Sequence, residues 1–274
     1  MDFGNARLLE SPSQQGEALG FFNNPKLGLP SSNGLMILLD SETGVIKSVL
    51  LDKGYLTDVR TAIAGAIASK YLSNPESSTV AIIGTGIQAR MQLEALTLVR
   101  DIKNVNVWSR DIKKTHNYIE DVSKNINLNF TAFDNTNDAV KNADILITAT
   151  PSKKPLIDYS SLPKRIHITA MGSNAEEKNE LEPDIIKNCD AYVPDSQAQT
   201  CILGELNHAI KNNLIKSSMI FNDLGKIIIN PELGRKNTQD ITVADLTGTG
   251  VQDTAIARFA FSTAKEKKLG IVIK

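Results

Sequence analysis

Apolar residues along this chain fall into short runs separated by amphipathic stretches. Val80–Ile83, Val105–Trp108, Leu128–Phe133, Asp144–Thr148, His167–Ala170 and Ala191–Val193 read as strands. Helical stretches such as Ile112–Val122 and Pro183–Lys187 lie between them. Strands alternating with helices predict an α/β fold with a doubly wound parallel sheet. Ahead of that region, Leu35–Leu39 and Val45–Leu51 read as two strands joined by Asp40-Ser41-Glu42-Thr43-Gly44, a loop that fits an antiparallel hairpin. Thr57-Asp58 predicts the cap of a helix running to about Leu72. One face of that helix carries Ile63, Ile67 and Tyr71, and the other is nearly all Ala and Gly, so a neighbour can pack close to it. Beyond Gly204 the pattern predicts a short helix from Ala209 to Ile215, a short apolar strand from Gly225 to Ile229, a strand and glycine loop from Asp240 to Gly250, and a helix from Val251 to Lys268. Met1–Ala18 is polar without periodicity and reads as a loose start. Neither terminal segment is large enough to stand alone. They are expected to form one smaller α/β domain (1–75 with 205–274) around an inserted unit at 76–204.

The inserted unit opens on Thr79-Val80-Ala81-Ile82-Ile83-Gly84-Thr85-Gly86-Ile87-Gln88-Ala89-Arg90. This is a strand, a glycine turn and a helix in immediate succession. Gly84, Thr85 and Gly86 let the backbone pass close to a pyrophosphate, and the following helix, from Ile87 and Gln88, offers free N–H groups and a partial positive charge. Ala89 stands where a third glycine often stands, and a small residue there lets helix and strand pack closely. The alternative is a tight βα turn without a ligand. In such sheets ligands sit beyond the carboxyl ends of the strands. The loops at 84–88, 109–111, 149–152 and 171–174 are therefore expected to converge. After the second strand, Ser109-Arg110 stands where an NAD-specific unit carries an acid, with Asp111 one position late. A serine and an arginine suit a 2′-phosphate, so the cofactor expected is NAD or NADP, with NADP preferred.

Composition narrows the field further. Net charge is −1 over 274 residues with 41% apolar content, which favours neither a nucleic-acid nor an anionic-membrane partner. No apolar run reaches the roughly 18 residues of a membrane span and no basic-then-apolar leader opens the chain, so a soluble cytoplasmic protein is expected. Cys189 and Cys201 form no metal spacing, the three histidines are scattered, and no metal is expected. His167, in an apolar strand, reads as a core residue. Arg60 is expected in the first turn of its helix, where a positive charge opposes the helix dipole. Either a bound carboxylate or phosphate answers it, or it is a surface arginine paired with Asp52 or Asp58.

Gly54-Tyr55-Leu56-Thr57-Asp58-Val59-Arg60-Thr61-Ala62 together with the glycine-turn block resembles the ornithine cyclodeaminase/mu-crystallin family. Ala170-Met171-Gly172-Ser173-Asn174, Lys178-Asn179-Glu180-Leu181 and Asp245-Leu246-Thr247-Gly248 extend the resemblance, which covers about residues 21 to 270 and is nearest to the ectoine-utilisation branch. It implies a homodimer acting through a nicotinamide cofactor on a small amino or imino acid. Imine reduction or amino-acid oxidation is favoured over full cyclodeamination. It implies that Arg60 holds a substrate carboxylate or lies against the cofactor, and that Thr61 binds the cofactor. It places Ile87 and Gln88 over the pyrophosphate, Ser109 and Arg110 at the adenosine ribose, and Thr150, Met171, Gly172, Ser173, Lys178 and Thr247 on the nicotinamide side. There are departures. Asn174 stands at the cyclodeaminase aspartate position, and an amide cannot act as a general base. The family's N-terminal region is absent or replaced by the unlike Met1–Ala18, and the lysine expected just before Gly20-Phe21-Phe22 is missing. A weaker dimer is therefore expected. The alternative to an enzyme is a diverged homologue that binds the dinucleotide and a small ligand without turnover.

Overall fold

The structure, a computed structural model, describes residues 6–8, 27–28, 33–171 and 175–272. In chain order the first elements are β1 (Ala6–Leu8), β2 (Met36–Asp40), β3 (Ile46–Leu50), α1 (Tyr55–Leu72), β4 (Thr79–Ile83) and α2 (Ile87–Thr97). There follow β5 (Asn104–Trp108), α3 (Ile112–Ser123), β6 (Asn129–Phe133), α4 (Thr136–Val140), β7 (Ile145–Thr148) and β8 (His167–Ala170). The last are α5 (Pro183–Asn188), β9 (Ala191–Pro194), α6 (Gln197–Thr200), α7 (Glu205–Lys211), α8 (Leu224–Ile229), β10 (Thr242–Asp245) and α9 (Gly250–Glu266). The chain divides into two compact units, one of residues 1–60 with 249–274 and the other of 61–248.

In the first unit β1, β2 and β3 form an antiparallel sheet in that order. Asp40 closes the hairpin by accepting from the backbone N–H of Thr43 at 3.0 Å. The β1 strand was not legible in the polar start of the chain, because three residues are too few to show a period. Met36, Leu38 and Ala257 are buried together, with Leu50, Leu56, Ile256 and Phe261 packed around them. The β2–β3 hairpin is thus seated on α9.

The second unit is a seven-stranded parallel sheet in the order β6-β5-β4-β7-β8-β10-β9. Val80 and Ile82 pack on one face with Leu93, Leu96, Tyr118 and Val122. Ala81 and Ile83 pack on the other with Val140, Ile157 and Ile185. Both faces are covered, which is why the strands read as continuous apolar runs without alternation. Two boundaries differ from the sequence expectation. β10 inserts between β8 and β9, so residues 205–248 belong with the sheet. Residues 61–72 of α1 also do, since Ala64, Ala68 and Leu72 are buried with Val193, Ala244 and Leu246. The Ala/Gly face of α1 does receive a close neighbour: a Cβ at Gly65 would run into the side-chain amide of Gln92, which donates to the Thr61 carbonyl at 3.0 Å.

Two elements depart from the pattern. Residues 225–229, expected as a strand, form part of α8: Asp223 accepts from the N–H of Lys226 at 2.9 Å, and a helical period buries Leu224 and Ile227 while leaving Ile229 exposed. Helix α1 starts at Tyr55, four residues ahead of the Val59 expected after a Thr57-Asp58 cap, because the Asp52 carboxylate accepts from the N–H of Leu56 at 2.7 Å. His167 is a core residue as expected. Its ring sits between the hydroxyls of Thr242 and Thr169, both at 3.0 Å, and burial pushes it down to about 3, so it is neutral.

The C-terminus of α1 is closed by two arginines. Arg100 donates to the carbonyls of Ser69, Lys70 and Ser73. Arg235 donates to the carbonyls of Leu72 and Asp240, each at 2.6 Å, and to the Thr242 hydroxyl at 3.2 Å. Most of these carbonyls lie past the end of the helical ladder or between elements, although that of Ser69 also accepts from Ser73 and that of Leu72 from the Thr242 hydroxyl. A group left unsatisfied there costs about 1–3 kcal/mol. Arg235→Met is expected to lower unfolding stability by about 2–4 kcal/mol, read as a lower urea midpoint at unchanged slope. A midpoint equal to that of the unaltered chain would mean that solvent satisfies those carbonyls instead.

Candidate functional site

The strand β4 ends in a turn that only glycine can make. Gly84 has φ 121°, and a Cβ there would stand 2.6 Å from the Ala149 carbonyl oxygen and 3.2 Å from Thr150 Cγ2. Gly84 follows β4 and Ala149 follows β7, so this contact lies where the strand order reverses, the place at which ligands meet open α/β sheets. Gly86 then caps α2 with extended backbone. Gly86 has no side chain to accept from the first-turn N–H groups, and no acidic residue occupies that turn. A Cβ at Gly86 would meet nothing within 4 Å. A helix N-terminus that begins at a glycine with open space around it, and with no acid in its first turn, fits a pyrophosphate. Ile87 is exposed, and Thr85 and Gln88 are half-buried.

The other expected site residues of this unit follow neighbouring strands. Ser109 and Arg110 follow β5. The Ser109 hydroxyl is 2.9 Å from that of Thr115, and Arg110 is exposed with no carboxylate partner among the described residues. Asp111 is occupied as the cap of α3, accepting from the N–H of Lys113 at 3.0 Å. Thr150 follows β7, Met171 follows β8 and Thr247 lies just beyond β10. Ladder hydrogen bonds continue past the strand ends, from Ala149 N–H to the Ile83 carbonyl and from Met171 N–H to that of Thr148. These loops therefore share the carboxyl edge of the sheet. Thr61 lies on α1, its carbonyl held by Gln92 of α2. Lys178 is buried, and burial pulls its ammonium below the ordinary lysine range against the opposing charges of Glu180 and Glu177. Gly172, Ser173 and Asn174 lie outside the described residues.

Arg60 belongs to the other unit. It stands in the second turn of α1, not the first, and pairs with neither Asp52 nor Asp58. Its Nε donates to Asp253 Oδ1 on α9 at 2.8 Å. No local pattern could have shown a partner 193 positions away.

Behind the carboxyl edge of the sheet lies a set of carboxyls, three buried and one (Asp195) half-buried, to which the sequence reading assigned no role. Glu180 accepts from the N–H of Thr150 at 2.7 Å. Glu205, at the start of α7, accepts from the N–H groups of Glu180 at 2.9 Å and Leu181 at 3.2 Å, and from the Asn179 amide at 2.8 Å. Asp245 accepts from the Tyr192 hydroxyl at 2.7 Å and from Leu206 N–H at 3.2 Å. Asp195 accepts from the Thr247 hydroxyl at 2.9 Å and from Gly248 N–H at 2.7 Å. These carboxyls pin the loops after β7, β8 and β10 to the body of the fold. The hints in the sequence are an acid inside an apolar run, as in Val243-Ala244-Asp245-Leu246, and the presence of Glu180 and Asp245 in blocks that carry the family resemblance. Among the described residues no three His, Cys, Asp or Glu side chains are grouped to hold a metal ion.

Burial raises Glu180 and Asp245 to about 7 and, with Asp245 as a negative neighbour, Glu205 to about 8. The folded state thus holds protons that the unfolded chain releases above about pH 4, so this contribution to stability is lost as pH rises through 7 to 8. His167 works in the opposite sense: its depressed value costs stability as pH falls from about 6.5 toward 3. Three acids outweigh one histidine between about pH 4.5 and 6.5, so thermal stability is expected to be highest at about pH 4 to 5 and to fall toward pH 8. Asp245→Asn keeps an acceptor for Tyr192 and Leu206, and is expected to flatten the alkaline limb by about 1 kcal/mol at pH 8. Melting curves at several pH values check this. Equal destabilisation at pH 5 and pH 8 would show that the Asp245 carboxyl stays ionised.

Comparison with known proteins gives the lineage. The model of the ornithine cyclodeaminase/mu-crystallin family matches residues 19–268. A Sinorhizobium fredii protein named as an uncharacterised cyclodeaminase is 51% identical over 251 residues, 92% of this chain and 76% of that one. An archaeal alanine dehydrogenase dimer with bound NAD has a TM-score of 0.86 at 34% identity, covering 92% of this chain and 77% of that one. The Delta(1)-pyrroline-2-carboxylate reductase of Thermococcus litoralis, in complex with NADH and L-proline, has a TM-score of 0.86 at 28% identity over the same shares. The chain belongs to the ornithine cyclodeaminase/mu-crystallin family.

Proposed function

We propose that this chain is an NAD(P)-dependent oxidoreductase that reduces a small α-imino acid, or oxidises the corresponding amino acid in reverse. The observation that carries it is the turn at Gly84–Gly86: a backbone with no room for a side chain at Gly84, followed by a helix that starts at a glycine with open space around it. The bound nicotinamide supplies the hydride, which goes to the imine carbon while a proton goes to the imine nitrogen. The chain's own residues bind and orient. Gly84, Thr85, Gly86, Ile87 and Gln88 hold the pyrophosphate. Thr61, Thr150, Met171, Lys178 and Thr247 contribute to the nicotinamide side. Arg60 holds the substrate carboxylate by a charge-assisted hydrogen bond. The 61–248 unit is the dinucleotide-binding domain, and the smaller unit carries the substrate contact.

NADP is preferred over NAD in this reading. The late acid after β5, Asp111, has a carboxylate already committed to capping α3, while Ser109 stands ahead of it and Arg110 is exposed without a carboxylate partner among the described residues. A guanidinium there suits a 2′-phosphate better than a ribose diol. The similar structures hold NAD or NADH, and small amino acids or imino acids figure in their names.

Fluorescence titration with NADPH and NADH, followed by addition of Δ1-pyrroline-2-carboxylate or of pyruvate with ammonia, tests the reading. NADPH is expected to bind more tightly and to be oxidised once an imine is supplied. Arg110→Ala is expected to weaken NADPH about tenfold to a hundredfold and leave NADH within about twofold. Tight dinucleotide binding without turnover across the imines would instead establish the ligand-binding alternative. Equal losses for both dinucleotides would remove the preference for NADP.

A further inference from the structure

The ion pair of Arg60 differs from most others in the chain. Lys47–Asp40, Lys103–Asp101, Lys124–Asp121 and Lys226–Asp223 join residues close in sequence, with each lysine half exposed or more. Arg60 and Asp253 join α1 to α9 within one unit, and their side chains are only 13% and 12% exposed. The pairing is one-sided. Asp253 Oδ1 takes Nε at 2.8 Å, and Gln252 Oε1 takes Nη1 at 3.2 Å. Nη2 has no hydrogen-bond partner among the described residues. A pair whose only work is to join two helices gains most by the bidentate fork, two parallel bonds to one carboxylate. Here the two acceptors come from adjacent residues of α9 and take separate nitrogens. Together they fix the plane of the guanidinium and leave one donor nitrogen over.

We propose that Asp253, assisted by Gln252, is a positioning residue that orients Arg60 so that its Nη2 edge receives the carboxylate of the bound amino or imino acid. This rests on the reading of Arg60 as the carboxylate-holding group. An arginine side chain free in solution samples many rotamers, and holding it in one before the ligand arrives removes that ordering cost from binding. Asp253 also brings a negative charge near the ligand carboxylate, which opposes binding. Nε and Nη2 share one edge of the guanidinium, so the aspartate lies beside the open nitrogen. Orientation is still the larger effect, because the charge of Asp253 is already answered by the guanidinium it pairs with and the neutral Gln252 oxygen shares the restraint.

The test is calorimetric titration of the intact protein with L-proline and with L-alanine in the presence of saturating NADPH, so that no hydride can pass. Asp253→Ala is expected to weaken the amino acid about tenfold, with NADPH affinity unchanged. Asp253→Asn keeps an oxygen that accepts from Nε and is expected to recover affinity to within about threefold. A purely structural pairing would lower the melting temperature in both variants and leave amino-acid affinity alone, which would overturn the proposal. Tighter binding in Asp253→Ala would also overturn it, because the aspartate would then be a competitor of the ligand. Arg60→Ala separates the two levels. If it binds the amino acids as the unaltered chain does, or if the unaltered chain binds neither, the role of Arg60 fails and this proposal with it. If Arg60→Ala loses affinity and Asp253→Ala does not, only the positioning role fails.

Discussion

The close approach of Gly84 to the Ala149 carbonyl is the constraint on which the rest of the large unit depends. With 2.6 Å between that oxygen and the place of a Cβ, no side chain fits, and φ at 121° is open in practice only to glycine. The contact lets the ends of β4 and β7 run side by side while the chain between them goes out to β5 and β6 and returns. It also sets where α2 begins, at Gly86, around which a Cβ would meet nothing within 4 Å. Packing on both faces of the sheet then holds that geometry, since Val80 and Ile82 serve one core and Ala81 and Ile83 the other.

A second tier of constraint is polar. The loops at the carboxyl edge carry backbone groups that no strand or helix can satisfy, and the fold answers them with buried carboxyls. Glu205 gathers the N–H groups of Glu180 and Leu181, Glu180 takes that of Thr150, and Asp195 takes that of Gly248. A buried acid satisfied by several donors is rigid, and its partners are fixed in turn. The cost is proton affinity raised into the neutral range at Glu180 and Glu205, so groups that order the site also make the fold sensitive to pH. At the other end of α1, Arg100 and Arg235 do for orphan carbonyls what these acids do for orphan N–H groups.

The parts of the site legible in the sequence are those built from neighbours in the chain. Gly84, Gly86, Ser109 and Arg110 announce themselves because the turns after β4 and β5 are made of consecutive residues. Glu205 and Asp253 do not, because each acquires its meaning from a group 24 to 193 positions away. The same limit explains the error at 225–229. A run of three isoleucines satisfies a strand as well as a helix, and Asp223 capping Lys226 tips the balance.

By itself the sequence determined the order and kind of most elements, the parallel sheet with its glycine turn, the antiparallel hairpin and the family. All of these are written in local periodicity, turn residues and contiguous motifs. Only the tertiary structure decided that β10 lies between β8 and β9, that most of α1 packs with the sheet, that Arg60 is held by α9, and which acids are buried. Strand order and ion pairing over long separations depend on which surfaces meet in space. A one-dimensional pattern of apolar and polar residues says that a surface must be covered, but not by what.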